Sequence, residues 1–235
     1  MRLHRFYIST PISQNEFDIT DKDLVHQWKN VFRYNVGSQV VLFDGAGADF
    51  LCLISSLRNL GATVKVLQKK PTVDISQRKN IWLCVALLKK DNFDWVVQKA
   101  TEIGVTNILP VLCEHSEKRK LNIERMQKIA TEASEQSGRG DIPIIHTPQT
   151  LSEIFQAGKL PQEKVFFDQS GVPFAQYRVG TNQVSFALFV GPEGGFSEKE
   201  VSFLRDYNVP AVSLGAQILR AETAAICAAG LFLLQ

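Results

Sequence analysis

The chain has 235 residues, and its 26 Lys+Arg against 24 Asp+Glu leave a formal net charge of +2. At 45% hydrophobic residues it is too apolar for a disordered chain and too long for a disulfide-stapled miniprotein. It can bury the core of one large domain or two small ones. The small net charge hides an asymmetry. Residues 1–72 hold 9 basic and 6 acidic side chains, residues 73–140 hold 11 and 9, and residues 141–235 hold 6 and 9. A basic N-terminal part joined to an acidic C-terminal part is a weak hint of a polyanion-binding half, and random scatter of a few charges gives the same numbers.

Cys52, Cys84, Cys113 and Cys227 are widely spaced, with no CxxC pair and no zinc-ligand spacing, so no metal is expected. Cys52, Cys84 and Cys227 stand in apolar runs and read as small buried hydrophobes, as expected of a reduced, cytoplasmic protein. The opening MRLHRFYIST lacks the apolar core of a signal peptide, and no run approaches bilayer length, so no membrane partner is expected.

The first part reads as short strands. Gln39 to Phe43, Phe50 to Ile54 and Ala62 to Leu67 are apolar runs, and Asp44-Gly45 between the first two signals a hairpin. A polar helical stretch, about Asp21 to Phe32, interrupts them. Lys69-Lys70-Pro71-Thr72 reads as a linker, dividing a β-rich domain over 1–70 from a second domain over 71–235. The pattern then changes. Ile81 to Leu87 is a continuous apolar run, as in a buried strand. In the helix that follows Asp91, Phe93, Val96, Val97 and Ala100 keep one face and Gly104 supplies the stop. Asn107 to Leu112 is a strand, and Asn122 to Ser137 is a helix with Ile123, Met126, Ala130 and Ala133 on one face. Lys164 to Phe167, Val184 to Val190 and Val209 to Leu214 are further strands. Alternating strands and helices predict an α/β domain with a parallel sheet, whose ligands bind beyond the carboxyl ends of its strands.

Two loops carry candidate chemistry. Gly191-Pro192-Glu193-Gly194-Gly195-Phe196-Ser197 follows a strand, and Ser197 with Glu200 forms a capping box that starts a helix. A glycine-rich turn at a helix start can hold a carboxylate or phosphate, though a tight turn with no ligand is as good a reading. No Gly-Lys-Ser/Thr follows, so it is not a Walker loop. Gly45-Ala46-Gly47 precedes a strand and reads as a hairpin turn. In the second loop, Leu214 to Ala224, Arg220 and Glu222 sit beside apolar Ile218 and Leu219, which suits either a structural salt bridge or a functional pair. The small residues from Ala224 to Leu231 suit a closely packed helix.

GPEGGFS at 191–197 and LGxxILRxETA at 214–224 resemble the RsmE family of ribosomal RNA methyltransferases, of the SPOUT superfamily. The resemblance spans nearly the whole chain. It includes Arg5-Phe6-Tyr7, His26 with Val31-Phe32-Arg33, Leu42 to Gly45, Lys90-Asp91 with Asp94, Gln98 to Val105, and Glu135 to Arg139. Phe32 stands for the family's usual Leu, Ala221 for Thr, Gln217 where Arg is frequent, and His115 where Arg is common.

The resemblance implies a trefoil-knotted parallel-sheet methyltransferase domain, preceded by a small β-rich, PUA-like or barrel-like RNA-binding domain. It implies a homodimer, with the Ala-rich helix at the interface, and methylation of uridine N3 in small-subunit ribosomal RNA. The implied methyl donor is S-adenosyl-L-methionine, held by Val190, Gly191, Glu193, Gly194, Gly195, Leu214, Gly215, Ile218 and Leu219. Arg220 and Glu222 are the implied catalytic residues, and Glu193 is more simply a pin for the glycine loop. Arg5, Arg33 and Arg139 are the implied RNA contacts. Apart from the resemblance, the basic run Lys118-Arg119-Lys120 reads as a solvated loop, with a second RNA contact as the alternative. The rivals are a SPOUT enzyme acting on another RNA site and a non-catalytic RNA-binding or ribosome-assembly module.

Overall fold

A computed structural model describes residues 3–72, 79–89, 91–117, 120–177 and 185–234. The chain forms two compact units, one of residues 1–76 with 134–141 and the other of residues 77–133 with 142–235.

The first unit is built on a five-stranded sheet of order β1-β3-β4-β5-β2. Its strands are β1 (Arg5–Tyr7), β2 (Glu16–Ile19), β3 (Gln39–Phe43), β4 (Ala48–Leu57) and β5 (Ala62–Pro71), and one helix, α1 (Lys22–Asn30), follows β2. Alternation sets the faces. Val40, Leu42, Phe50, Cys52 and Ile54 are buried while Val41, Leu51 and Leu53 between them are less so, and Val40 lies opposite Cys52 and Leu42 opposite Phe50. Asp21 caps α1 by accepting from the backbone N–H groups of Asp23 and Leu24, and Leu24, Val25 and Trp28 turn inward. The predicted hairpin at Asp44-Gly45 is present, with Gly45 and Gly47 at positive φ.

The predicted linker is not one. Lys69, Lys70 and Pro71 pair with Phe50, Asp49 and Ala48 and finish β5. Pro71 is tolerated there because it is the last residue of the strand, where a missing N–H breaks no central ladder.

Arg5 closes this unit. Its guanidinium donates to both carboxylate oxygens of Asp49, at 2.6 and 3.0 Å, and to the backbone carbonyls of Ser134, Glu135 and Arg139. Its carbon also lies 4.5 Å from the centre of the Phe43 ring. The carbonyls at 134 and 135 belong to the last turn of a helix, where a cation is favoured. Tyr7 N–H donates to the Glu135 carboxylate, and Gly47 N–H to Gly140 C=O.

The second unit is a six-stranded sheet of order β11-β9-β10-β6-β7-β8, in which every pairing is parallel. Its strands are β6 (Asn80–Ala86), β7 (Asn107–Val111), β8 (Ile144–Ile145), β9 (Glu163–Pro173), β10 (Ser185–Val190) and β11 (Ala211–Ser213). The helices after β1–β5 and α1 are α2 (Asn92–Ile103), α3 (Ile123–Ser137), α4 (Leu151–Gln156), α5 (Glu198–Asp206) and α6 (Ala221–Leu233). This is the predicted α/β architecture. β10 lies between β6 and β9, and Phe186 to Val190 are buried, as both-face burial requires. Gly104 ends α2 in the left-handed region, and the Ser197–Glu200 capping box opens α5, both as predicted. Of the strand predicted from Val184, that first residue lies outside the described residues.

α6 buries Ala221, Ala225, Ala228, Ala229 and Phe232, spaced as one helical face. Phe232 meets Phe167, Phe174, Tyr177 and Phe186, with ring centres 4.9 to 6.4 Å apart. Cys227 falls on the other face and is exposed, contrary to its reading as a buried hydrophobe, because the apolar composition of the run says nothing about which side is covered.

Two outcomes follow from this packing. Arg5→Ala leaves the Asp49 carboxylate and three backbone carbonyls without their donor, so urea denaturation should show a loss of about 3 kcal/mol. The second concerns His146. It stacks on Trp82 at 4.7 Å and donates through Nε2 to the Asn107 side-chain oxygen, and burial, aided by Lys159, holds its pKa below the ordinary value. A histidine with a depressed folded pKa contributes stability that is present above about pH 6.5 and is lost as pH falls through the folded value. Melting temperatures measured from pH 7.5 down to 5.5 should decline, and the His146→Phe variant should decline less.

Candidate active site

A cavity of about 490 Å³ opens where the carboxyl ends of β10 and β11 meet the middle of β9. Its walls come from Phe167 to Gln169 on β9, Val190 to Glu193 with Gly195 and Phe196 after β10, Ser213 to Gly215 and Gln217 to Arg220 after β11, and Ala221 and Ala224 on α6. The position is the one the parallel-sheet rule predicts.

Each wall has a local cause. After β10 the chain reverses within a few residues. Gly195 sits at φ +72°, and a Cβ on Gly191 would stand 3.1 Å from the backbone nitrogen of Phe196. Glu200 holds the far end of this loop. One carboxylate oxygen accepts from Ser197 N–H at 2.8 Å and the other from Glu114 N–H at 2.9 Å. His115 Nδ1 donates to Gly195 C=O at 3.1 Å, and its side chain lies against Gly194. Glu193 accepts from Lys89 N–H at 3.2 Å. The glycine loop is thus tied from the ends of β6 and β7.

The loop after β11 starts with Ser213, whose hydroxyl bonds both the N–H and the C=O of Gly215, itself at φ +140°. The loop then lies open, and Ile218 is 85% exposed. Arg220 is the N-cap of α6 but offers no side-chain acceptor there. A cation at a helix N-terminus runs against the helix dipole, so its place serves something other than helix stability. Among the described residues its guanidinium makes no ion pair or hydrogen bond.

Of the residues singled out in the sequence, Val190, Gly191, Glu193, Gly195, Leu214, Gly215, Ile218, Leu219 and Arg220 line this one cavity. Gly194 stands behind the wall against His115. Glu222 lies in the first turn of α6 and does not line the cavity, and one of its carboxylate oxygens is buried without a hydrogen-bond partner. Among the described residues it forms no salt bridge with Arg220, so the pair suggested by their spacing is not made.

The candidate RNA contacts separate. Arg33 is exposed, at the left-handed φ of 54°. Arg5 and Arg139 are different. The Arg139 side chain is 4% exposed and bonds both carboxylate oxygens of Asp141, and Arg5 is committed as described above. A buried guanidinium with its carboxylate partner is not free for a phosphate. Those two are corrected to structural roles. Lys118 and Arg119 lie outside the described residues.

Sequence reasoning missed Phe167, Asp168, Gln169 and Ser213. Their signal was faint: Asp168-Gln169-Ser170-Gly171 is a turn-forming sequence inside a strand pattern. In the structure the β9–β11 register jumps there, with Ala211 opposite Phe166 and Val212 opposite Val172. The helix α4 was also missed, although Thr150 and Glu153 form a capping box.

Residues 76–233 match the family model of the RNA methyltransferase domain, which defines the class of protein that this fold and cavity represent. The chain belongs to the family of ribosomal RNA small subunit methyltransferase E. It is 32% identical to that protein from Rickettsia conorii over 97% of this chain and 94% of the relative. It is 28% identical to the one from Bacillus subtilis, over 96% of this chain and 94% of the relative. The crystal structure of a ribosomal RNA small subunit methyltransferase E from Neisseria gonorrhoeae, bound to S-adenosyl methionine, superposes with a TM-score of 0.85 at 29% identity, covering 98% and 96% of the two chains. Among the described residues, no group of three or more His, Cys, Asp or Glu could hold a metal ion, and no helix is long and apolar enough to cross a membrane.

One substitution tests the wall formed by β9. A Cβ on Gly171 would stand 2.5 Å from the backbone nitrogen of Val212. Gly171→Ala should therefore lower stability by about 2 kcal/mol, read by thermal or urea unfolding, because backbone must move to admit the methyl group.

Proposed function

We propose that this protein transfers a methyl group from S-adenosyl-L-methionine to N3 of a uridine in small-subunit ribosomal RNA. The carrying observation is the cavity onto which both diagnostic loops converge, in a chain of this family. The cavity suits the donor. Its volume of about 490 Å³ is in the range of small-molecule sites. Leu214, Ile218 and Leu219 offer apolar surface to an adenine, and the glycine loops offer backbone N–H and C=O groups that no Cβ obstructs.

S-adenosylmethionine supplies a methyl group already activated for transfer. The chain's task is then to orient the uridine, exclude water and manage one proton. Uracil N3–H must lose its proton, and the ring must hold negative charge. Arg220 stands free at the cavity wall and at the positive end of α6, where it stabilises charge developing on the uracil carbonyls. Glu222 stands behind the wall, two residues beyond Arg220, and would take up the proton only through an intervening water. Glu193 holds the glycine loop through Lys89.

The finer architecture follows from the same reading. β10 enters between β6 and β9, and the loops on its far side and after β11 share one cavity, which supports a trefoil knot in the domain over 71–235. The β-rich domain over 1–70 is PUA-like and grips RNA, with Arg33 among its exposed cations. The partly buried apolar residues Ala224, Ile226 and Leu231 of α6, with exposed Cys227, support a homodimer. Free cysteines and a ribosomal substrate support a cytoplasmic location.

Mass spectrometry of small-subunit RNA should show N3-methyluridine with this protein and none without it. Purified Arg220→Ala should lose about 100-fold in kcat while calorimetry finds S-adenosylmethionine bound nearly as before. Turnover close to wild type would remove Arg220 from the mechanism. For Arg33→Ala, RNA affinity should fall and its dependence on salt become shallower by about one counterion.

A further inference from the structure

The cavity has a carboxylate that neither diagnostic loop supplies. Asp168 lines it from β9 and is partly buried. Its place is built. The β9–β11 register skips residues 167–171, and Gly171 presses against the peptide joining Ala211 to Val212 so closely that no side chain would fit. An irregularity of this kind re-aims side chains next to a site. Within it, one oxygen of Asp168 accepts from Ser170 N–H at 2.8 Å and from Ser170 Oγ–H at 2.5 Å. That oxygen fixes the carboxylate. Among the described residues the other oxygen has no hydrogen bond, and Asp168 has no ion pair.

The charges around the cavity are Asp168, Glu193 and Arg220. Glu193 accepts from the Lys89 backbone, and the Lys89 ammonium interacts favourably with its charge. Arg220 stands on the wall after β11. Asp168 is therefore left as the carboxylate without a cation. A nucleic acid brings anionic phosphates and cannot balance it, whereas the methyl donor carries positive charge at its sulfonium and at its α-ammonium.

We infer that Asp168 binds a positively charged group of the methyl donor, and so places the donor's methionyl part on the β9 side of the cavity, with the uridine on the Arg220 side. The inference rests on the reading of this cavity as the donor site.

The test is isothermal calorimetry on the full chain with three probes: S-adenosylmethionine, S-adenosylhomocysteine, which keeps the ammonium but lacks the sulfonium, and 5′-methylthioadenosine, which lacks both. Asp168→Asn is the informative variant, because the amide oxygen still accepts from Ser170 and the turn survives while the charge is gone. It should weaken S-adenosylmethionine about tenfold or more and leave 5′-methylthioadenosine unchanged. Equal weakening of S-adenosylhomocysteine assigns the ammonium, and weakening of S-adenosylmethionine alone assigns the sulfonium. Asp168→Glu should recover part of the loss. Unchanged affinity for S-adenosylmethionine in Asp168→Asn would overturn the inference, and so would equal weakening of 5′-methylthioadenosine, which would mark a structural effect. If the wild-type chain bound none of the three, the proposed function would fall, and this inference with it.

Discussion

The second unit depends on the burial of β10. Phe186, Ala187, Leu188, Phe189 and Val190 are almost wholly removed from water between β6 and β9, with helices on the faces. A strand buried on both faces can leave the sheet only at its ends. Everything chemical in this unit lies just beyond its carboxyl end. The glycine loop begins at Gly191 because Val190 is the last buried residue of the strand. The donors that pin that loop come from the ends of β6 and β7, which burial has brought alongside.

Close approach is the second constraint. Around the cavity the backbone passes within contact distance of backbone, at Gly191 against Phe196 and at Gly171 against Val212. No side chain fits at the second. Small residues in these loops are therefore a requirement of how segments far apart in sequence share a narrow space, and only secondarily a device for exposing N–H groups to a ligand. The GPEGG turn is tightly packed on one side and open to the cavity on the other.

The first unit uses charge where the second uses size. Arg5 collects a carboxylate, three backbone carbonyls and an aromatic face, and Arg139 pairs with Asp141 close by. These arginines stand in motifs that the resemblance links to RNA. Burial gives them another task, which motif spacing alone could not separate from phosphate binding, since a guanidinium suits carboxylate and phosphate geometry equally. Arg33, held at positive φ on an exposed loop, is the one of the three left facing solvent.

Local sequence determined a great deal: the alternation of β3 and β4, the apolar run of β6, the helical face and glycine stop of α2, the capping box of α5, and the two loops that meet at the cavity. These are short-range effects, in which a residue's neighbours set its periodicity, cap or turn. What tertiary structure decided was every matter of partnership. It made Lys69 to Pro71 the end of a strand, because Ala48 to Phe50 lay opposite. It turned Cys227 outward, the one exposed residue of α6, because the helix's packing leaves that position uncovered. It left Arg220 and Glu222 unpaired with each other despite their spacing. It brought Asp168, on a strand with no diagnostic motif, into the wall of the cavity. The near-zero net charge likewise says nothing of RNA, because the outcome depends on which charges fold inward against a partner and which stay in water.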